Sequence, residues 1–312
     1  MLAATSKALF HTLAGFGPLR RLVSRYGMAP EHGFARRFIA GETAAEAIDA
    51  ARILGTRGFG VSLDYLGESV ASAELAAAAA RAYADIITAI VEAGVERNIS
   101  LKLTQLGLDV DRATAIDNLR RVLDAAQPHG FFIRIDMENS PYTERTLEIF
   151  ETLWGIGYRN AGVVIQSYLK RSEADVHRVN KLGARIRLVK GAYKEPADAA
   201  YQMKSEVDSQ YVHLMKILLK DGTYPAIATH DEKMIAATNE FAVANGIAKE
   251  KYEFQMLYGI RRDLQTSLAA AGHPFRVYVP FGREWFPYFM RRLGERPANI
   301  GFVIRGITSE KK

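Results

Sequence analysis

The feature that most constrains the fold of this chain is a regular alternation of short β-rich runs with longer helical stretches. β-Branched and aromatic residues are concentrated in runs at residues 59–66, 99–106, 131–137, 161–168, 185–193, 224–230, 252–257 and 275–281. Runs of this length and composition predict strands. Strands that alternate with helices predict parallel βα units, because a parallel connection needs a crossover segment.

Helical stretches separate and flank these runs. They are predicted at residues 41–53, 72–97, 112–127, 142–156, 172–182, 197–220, 232–245, 259–271 and 283–296. In the first of them Thr43 is placed to cap the N-terminus, with Glu46 three residues later as its partner in a capping box. Several stretches end near glycine, as at Gly94 and Gly183, which is typical of helix C-termini. Eight such units in succession predict an α/β fold, a (βα)8 TIM-type barrel.

The alternative fold is a doubly wound parallel sheet with a nucleotide-binding crevice. Gly55, Gly58 and Gly60 are the candidates for its glycine-rich turn. Their spacing differs from G-x-G-x-x-G, and they precede a strand, whereas that motif follows one. The pattern therefore favours the barrel. No linker or low-complexity run divides it, so we expect it to span residues 46–312.

Residues 1–45 are predicted to form an N-terminal helical cap on the barrel. The first acidic residue is Glu31, and four basic residues precede it among leucine, alanine and phenylalanine: Lys7, Arg20, Arg21 and Arg25. A transit peptide and a basic helix on a membrane surface share this composition and stay open as alternatives.

Composition excludes several classes of site. The chain has 312 residues, no cysteine and a formal net charge of +6. The absence of cysteine excludes disulfides, thiolate metal sites and cysteine nucleophiles. The positive charge is mild and dispersed, which permits anionic ligands but does not indicate nucleic acid. No apolar run is long enough to span a bilayer.

Polar residues recur within the otherwise apolar strands. They are Lys102, Asp136, Gln166, Arg187, His230, Gln255 and Tyr278. Burying one unpaired charge destabilises a protein by several kcal/mol, on the order of the whole stability of a domain. Any one of these residues is explained as a satisfied structural polar group. As a set they predict a ligand site at the C-terminal ends of the strands, where barrel enzymes have their active sites.

Two adjacent arginines, Arg291 and Arg292, lie in the last predicted helix. Neighbouring helix positions point about 100° apart, so both guanidinium groups reach one anion that lies over the helix edge between them. Paired charge-assisted hydrogen bonds make arginine suited to a carboxylate. Tyr288 shares a face with Arg291, and Glu295 follows close enough to hold the pair. The alternative is a solvated helix face with an ordinary ion pair.

The pattern indicates chemistry that depends on an organic cofactor. The chain shows no nucleophile-and-base motif, and His230 with Asp231 offers too few ligands for a metal site. Lys102 and the two arginines are suited to neutralise a carboxylate, and Arg187 with Gln166 to donate hydrogen bonds to a planar ring. Asp136 is the expected partner of a cation, with Lys102, Arg134 and a ligand ammonium as alternatives.

Seven segments together resemble the proline dehydrogenase family in its single-function bacterial form. They are residues 101–107 (LKLTQLG), 134–138 (RIDME), 165–169 (IQSYL), 187–193 (RLVKGAY), 228–230 (ATH), 254–257 (FQML) and 288–295 (YFMRRLGE). The resemblance covers the chain from about residue 45 to its end.

The resemblance implies a distorted barrel that binds FAD non-covalently, with the last helix over the barrel mouth. It implies oxidation of L-proline to Δ1-pyrroline-5-carboxylate by hydride transfer to the flavin N5, the first step of proline catabolism to glutamate. Electrons then pass to a membrane quinone, which implies a cytoplasmic enzyme and leaves a peripheral contact with the inner membrane open. The chain ends soon after the barrel, so we expect the pyrroline-5-carboxylate dehydrogenase of the pathway to be a separate chain.

By matching position, the resemblance also implies roles for individual residues. Lys102, Arg291 and Arg292 are expected to bind the substrate carboxylate. Tyr278, Tyr288 and Leu257 are expected to form the walls around the proline ring. Asp136 and Arg187 resemble catalytic residues, with Arg187 beside the flavin N5. Glu68 resembles an acidic partner that pairs with Arg291 and closes the site, and Tyr193 resembles a residue near the mouth. The implied FAD contacts are Met137, Gln166, Arg187, Lys190, Gly191, Ala192, Thr229 and His230.

Two other functions compete with this interpretation. A flavin barrel that reduces a folate would need room for a pterin and a glutamate tail, whereas the arginine pair with Tyr288 suggests a small carboxylate. A ligand sensor or surface-binding module on the same fold would account for the net charge and the basic N-terminus. That second alternative predicts neither bound flavin nor turnover.

Overall fold

A closed parallel barrel forms the centre of the molecule, as predicted. The computed structural model describes residues 27–28 and 33–295. The strands are β1 (Gly60–Tyr65), β2 (Asn98–Leu101), β3 (Phe132–Ile135), β4 (Ala161–Gln166), β5 (Arg185–Val189), β6 (Ala226–Ala228), β7 (Glu253–Leu257) and β8 (Phe275–Phe281). They pair in sequence order, and β1 pairs with β8 to close the barrel.

Helices alternate with these strands. They are α1 (Ala44–Gly55), α2 (Ala73–Ala93), α3 (Arg112–Ala126), α4 (Ser140–Gly155), α5 (Ser172–Asn180), α6 (Lys204–Asp221), α7 (Glu232–Ala244), α8 (Arg262–Ala270) and α9 (Trp285–Glu295), with short 3-10 helices at Phe34–Arg37, Gln127–His129 and Lys249–Lys251. The capping box predicted at Thr43 and Glu46 is present. Gly94 ends α2 with φ 65°, a conformation that favours glycine.

Several predicted elements are longer than the observed ones, and β2 and α6 differ most. The run at residues 99–106 was predicted as strand throughout, but β2 ends at Leu101. The backbone then turns, because the N–H groups of Leu106 and Leu108 both donate to the carbonyl of Leu103, each at 3.0 Å. These leucines are fully buried, so the apolar pattern continues although the strand has ended. Helix α6 begins at Lys204 instead of residue 197.

The sheet has an apolar outer face and a polar interior. Alternate residues such as Leu63, Ile99 and Val277 are buried in the cluster that joins the strands to the surrounding helices. The intervening residues meet inside the barrel, as shown by the 2.8 Å hydrogen bond between the hydroxyls of Ser62 and Ser100. Because successive side chains of a strand point to opposite faces, this alternation places the polar set inside.

Helix α9 lies over the C-terminal end of the barrel, as expected. Its Trp285, Phe286 and Phe289 belong to an apolar cluster with Leu66, which follows β1, and with the partly buried Leu257 of β7. These contacts bring the arginine pair to the strand ends. Because α9 covers these ends, we name the C-terminal end of the barrel the mouth.

Most of the predicted N-terminal cap lies outside the described residues. Lys7, Arg20, Arg21, Arg25 and Glu31 fall there, and so does the side chain of Glu295. The division between a cap at 1–45 and a barrel at 46–312 stays a prediction. In the part of the chain that the structure describes, no helix combines the length and the apolar character needed to cross a membrane.

Candidate active site

Asp136 is the central acceptor of the mouth. It directly follows β3, and its Oδ1 accepts from Arg187 Nη1 at 2.8 Å, while its Oδ2 accepts from the Tyr278 hydroxyl at 2.7 Å. Lys102 Nζ lies 3.9 Å from the same Oδ2. The guanidinium of Arg187 also lies over the ring of Tyr278, 5.3 Å from its centre. Three strands therefore converge on one carboxylate.

Lys102 has a second acidic neighbour, Asp64 of β1. Its Nζ lies 3.4 Å from Asp64 Oδ1, and both side chains are almost fully buried. Burial lowers the pKa of Lys102, but Asp64 and Asp136 outweigh burial and hold that pKa above its ordinary value. Burial raises the pKa of Asp64, and the ammonium group of Lys102 acts against this rise. Lys102 therefore stays cationic at neutral pH.

Arg187 makes two more hydrogen bonds in addition to the one with Asp136. Its Nε donates to Gln255 Oε1 at 2.6 Å, and its Nη2 donates to the Ser100 hydroxyl at 3.1 Å. Arg134 was one of three predicted partners of Asp136, but its Nη1 donates instead to the carbonyls of Val163 and Arg185, at 3.2 Å and 2.8 Å. Arg187 and Tyr278 make the closest contacts of Asp136.

The arginine pair of α9 reaches the mouth. Arg291 Nη1 donates to Glu68 Oε1 at 2.8 Å, so the predicted contact between them is confirmed. Arg292 is buried and lies over the ring of Tyr288, 5.2 Å from its centre. Tyr288 was predicted to share a face with Arg291, three residues away, and the ring contact is made by Arg292, four residues away. Both spacings bring side chains together on a helix.

The pKa of Tyr193 depends on two cations of the mouth. Burial raises the pKa of its hydroxyl to about 12, and Lys102 and Arg291 both act against that rise. An effect of both cations on one hydroxyl requires that the end of β2, the β5–α6 loop and α9 approach one another. Lys102 and Arg291 therefore both lie near the hydroxyl of Tyr193.

The residues predicted to bind a cofactor lie within or just after β3, β4, β5 and β6. Gln166 Nε2 donates to the carbonyl of Glu138 at 2.7 Å, and Thr229 Oγ1 accepts from the backbone N–H of Asp231 at 3.1 Å. His230 Nε2 accepts from the N–H of Leu257 at 3.0 Å. That hydrogen bond fixes His230 with Nε2 as an acceptor.

Lys190, Gly191 and Ala192 form the start of the β5–α6 loop. Lys190 Nζ contacts two carboxylates, Asp208 Oδ1 at 2.5 Å and Asp231 Oδ2 at 2.7 Å. Gly191 has φ 119°, and a Cβ there would lie 2.5 Å from the ring of Tyr168. A glycine is therefore required, because the ring of Tyr168 occupies the space that a side chain would need.

These residues fit an elongated anionic cofactor with a planar ring. Arg187 offers a buried guanidinium within β5, and Lys190, which follows the same strand, carries an ammonium group that pairs with Asp208 and Asp231. Met137 is buried beside Asp136 and adds an apolar surface. Cationic and amide donors at adjacent strand ends suit the heteroatoms of a planar ring and the anionic groups of a cofactor. Metal-binding groups of three or more His, Cys, Asp or Glu are absent from the described residues.

Sequence reasoning missed three residues of the mouth. Asp64 lies two residues after Ser62 on β1, at an inward position, and the rule that selected Lys102 would have selected it too. Glu138 and Thr104 appeared in the sequence analysis only as members of the segments 134–138 and 101–107, and no role was predicted for either. Thr104 Oγ1 donates to Glu138 Oε2 at 2.6 Å, and its N–H donates to Oε1 at 3.2 Å. Burial raises the pKa of Glu138 to about 7, against the opposing effects of Thr104 and Lys102.

Comparisons with known proteins identify similar chains over most of the sequence. A family model described as proline dehydrogenase matches residues 47–305. The chain is 40% identical to proline dehydrogenase 2 of Bacillus subtilis over 302 residues, 97% of this chain and 98% of that protein. It is 44% identical to the proline dehydrogenase of Deinococcus radiodurans over 277 residues, 88% of this chain and 89% of that protein.

Among solved structures, proline utilization A from Bdellovibrio bacteriovorus, inactivated by N-propargylglycine, superposes with a TM-score of 0.78 at 28% identity. The match covers 84% of this chain and 32% of that longer protein.

Proposed function

The chain belongs to the proline dehydrogenase family, and we propose that it oxidises L-proline to Δ1-pyrroline-5-carboxylate with non-covalently bound FAD as cofactor. The observation that carries this proposal is the mouth itself. Lys102 and Arg291 both act on the hydroxyl of Tyr193, and Arg292 lies over the ring of Tyr288, so cations and aromatic side chains occur together at the mouth. A cyclic amino acid would offer its carboxylate to these cations and its apolar ring to the aromatic side chains.

The protein contributes chiefly binding and orientation. We assign the substrate carboxylate to Lys102, Arg291 and Arg292, and the walls around the ring to Tyr278, Tyr288 and Leu257. Three cations on one carboxylate leave the substrate little rotational freedom, so its ring carbon next to nitrogen is presented in one direction. Glu68 neutralises part of Arg291 and lies beside the entrance, so it is the group assigned to close the site over a bound substrate.

FAD supplies the hydride acceptor for that carbon when it is bound. We assign its binding to Met137, Gln166, Arg187, Lys190, Gly191, Ala192, Thr229 and His230. Arg187 is fixed by Asp136, Gln255 and Ser100, so its charge stays in one place during the reaction. A fixed guanidinium stabilises negative charge that develops nearby without having to reorganise.

The amine must lose its proton before it donates a hydride efficiently, because its lone pair stabilises the developing iminium. Lys102 does not act as that base, since the raised pKa keeps it protonated. Asp136 already accepts from Arg187 and Tyr278, so we assign it to hold Arg187 and Lys102 in position. The proton then leaves to solvent.

Two further parts of the proposal concern where the electrons go. We propose a quinone as the acceptor and a cytoplasmic protein that contacts the inner membrane peripherally. Both rest on the family to which the chain belongs.

The deciding experiment is a visible absorption spectrum of the purified protein before and after anaerobic addition of L-proline. We expect flavin bands that bleach with proline. Bands that persist would leave the barrel and FAD but direct the search to other small carboxylates or folates. A colourless protein that stays inactive after reconstitution with FAD would overturn the enzyme assignment and favour a ligand sensor.

A further inference from the structure

The loop that joins β1 to α2 is attached to the neighbouring β2–α3 loop at two successive residues. The N–H of Ser69 donates to Thr104 Oγ1 at 3.0 Å, and the N–H of Val70 donates to the Thr104 carbonyl at 3.2 Å. Glu68, the partner of Arg291, immediately precedes Ser69. The position of Thr104 therefore sets the backbone that carries Glu68.

Glu138 in turn holds Thr104. The carboxyl group accepts from both the N–H and the hydroxyl of Thr104, and it is 4% exposed. The hydroxyl has one proton, which goes to Glu138, and its lone pair accepts from Ser69. This direction of hydrogen bonding requires Glu138 as an acceptor at both oxygens, which is the carboxylate form.

The loop has a conformation that its contacts impose. Ser69 has φ 54°, in the left-handed region that serine adopts only with strain. At Gly67 a Cβ would lie 2.4 Å from Gln105 Nε2, and Gln105 is itself fixed by the Tyr83 hydroxyl at 2.8 Å. Because local preference does not favour this conformation, loss of the Thr104 contacts would release it.

We propose that Glu138 is a positioning residue, which acts through Thr104 to hold the 67–70 loop and so places Glu68 against Arg291 at the mouth. This inference rests on the proposed function, in that Arg291 is assigned to the substrate carboxylate. It predicts that the contacts that fix residues 67–70 become stronger as Glu138 loses its proton.

The groups around Glu138 define the pH range of the effect. The charged side chains are Lys102 and Glu68, and the titratable ones are Tyr83, Tyr142 and Tyr193. Burial raises the pKa of Tyr193 to about 12, hydrogen bonding to Asp109 raises that of Tyr142 to about 12, and burial raises that of Tyr83 further. These tyrosines stay neutral and Lys102 stays charged near pH 7, where Glu138, with a pKa of about 7, changes its charge.

Protonation of Glu138 conflicts with its surroundings in either position. A proton on Oε1 would face the N–H of Thr104, and a proton on Oε2 would reverse the hydrogen bond from the Thr104 hydroxyl. The hydroxyl would then lose its acceptor. Loop order therefore rises as pH rises through about 7.

Global stability changes in the opposite direction. The folded-state pKa is raised above the ordinary value of 4.5, so the folded protein binds this proton more tightly than the unfolded chain does. The contribution of this bound proton to the unfolding free energy is complete below pH 4.5 and is lost as pH rises through about 7. A merely structural role for Glu138 would make the loop and the whole fold loosen together, so the opposite trends distinguish the two.

The test uses the FAD-loaded full chain with Glu138→Gln and Thr104→Val, and with Thr104→Ser as the variant that keeps the hydroxyl. Amide hydrogen exchange of peptides that cover residues 67–70 is measured from pH 6 to pH 8, after correction for intrinsic exchange, together with the proline KM. We expect protection in the unaltered protein to rise with pH. In Glu138→Gln and Thr104→Val we expect fast exchange at every pH and a KM raised roughly threefold to tenfold, with kcat changed less. Thr104→Ser should restore the protection.

Wild-type protection of residues 67–70 in Glu138→Gln, or in Thr104→Val if the first variant does not fold, would overturn the proposal. So would a KM that is unchanged in both. Exchange is read without proline turnover, so a protein that does not oxidise proline would refute the proposed function while the role of Glu138 is still decided.

Discussion

Ion pairs are buried at both ends of the barrel, but the two ends differ in the number and exposure of the partners that their arginines have. We name the end opposite the mouth the floor; its charged residues are Arg134, Arg185, Arg276, Glu253 and Glu96. Arg276 Nε lies 3.0 Å from Glu253 Oε1, and its Nη1 contacts Glu96 and donates to the Val61 carbonyl at 2.8 Å. At the mouth Arg291 is seen with one carboxylate, Glu68, whose side chain is 31% exposed.

The other two floor arginines lie over aromatic rings, and the buried Arg134 also donates to backbone carbonyls. Arg134 lies 4.8 Å and Arg185 lies 5.1 Å from the ring centre of Phe132, and Arg185 also lies 5.0 Å from that of Tyr224. Burial lowers the pKa of Arg134 well below its ordinary value. Buried charge alone therefore does not mark a functional site. The mouth differs because its cations come from a strand end and from the helix above it, where we propose that the substrate carboxylate binds.

The largest expected effect tests the mouth. Arg291→Met or Arg292→Met removes the charge-assisted interaction that we propose with the substrate carboxylate, so we expect the proline KM to rise by about 100-fold. FAD should stay bound, because neither residue is assigned to the cofactor. Steady-state kinetics with the absorption spectrum of each variant measures both quantities.

Arg52→Met is the matched control, since Arg52 forms an exposed ion pair with Asp49 on α1. Its KM should equal that of the unaltered protein. If both mouth variants also kept their KM, the carboxylate assignment would be wrong, and the two ends of the barrel would no longer differ in function.

The floor gives the next largest effect, and it should fall on stability. Glu253→Gln removes the buried partner of Arg276, but Arg276 retains Glu96, so we expect a loss of about 2 kcal/mol in unfolding free energy, less than for an arginine left unpaired. Burial raises the pKa of Glu253, but Arg276 lowers it further, so the net pKa is below its ordinary value of 4.5. Its stabilising effect is therefore present above pH 4.5 and is lost at lower pH.

Urea unfolding between pH 4 and pH 8 measures this loss, and Glu96→Gln is the control. Glu96 is more exposed, so its replacement should change the unfolding free energy by less than about 1 kcal/mol. The proline KM should stay within about twofold in Glu253→Gln. A large rise in KM would show that the chain of contacts from Glu253 through Gln255 to Arg187 makes floor and mouth one functional unit.

The barrel was predictable from the sequence because its signals are local. Eight β-rich runs with helices between them leave few arrangements, and glycines such as Gly94 end the helices where expected. The meeting of Lys102, Asp136, Arg187 and Tyr278 followed from one rule, that polar residues on strands of a closed barrel share its interior.

What the sequence did not show depends on contacts between distant loops. Thr104 and Glu138 are 34 residues apart, and no spacing rule pairs a residue of one segment with a residue of the other. The pairing of Lys190 with Asp208 and Asp231 joins a loop to the first turn of α6 and to the N-cap of α7, which no spacing rule predicts. Strand β2 was predicted too long, because a turn that buries Leu103, Leu106 and Leu108 preserves an apolar pattern without a strand.

The smallest expected effect concerns the aromatic wall of the mouth. Tyr288 is buried in the cluster under α9, against which Leu257 and Tyr278 pack, and its ring supports the guanidinium of Arg292. We expect this ring to crowd the face of the substrate where 4-hydroxyproline carries its hydroxyl. Tyr288→Ser should therefore reduce the preference for proline over 4-hydroxyproline by about tenfold in kcat/KM.

Loss of the ring also weakens the support of Arg292, by about 1 kcal/mol for a cation–π contact, so both substrates should bind less well in Tyr288→Ser. Discrimination is measured as a ratio, in which this shared loss cancels. Tyr288→Phe keeps the ring and should keep the ratio of the unaltered protein. An equal loss of kcat/KM for both substrates in Tyr288→Ser would limit Tyr288 to the support of Arg292. The mouth would then select its substrate by charge, without a contribution from the shape of this wall.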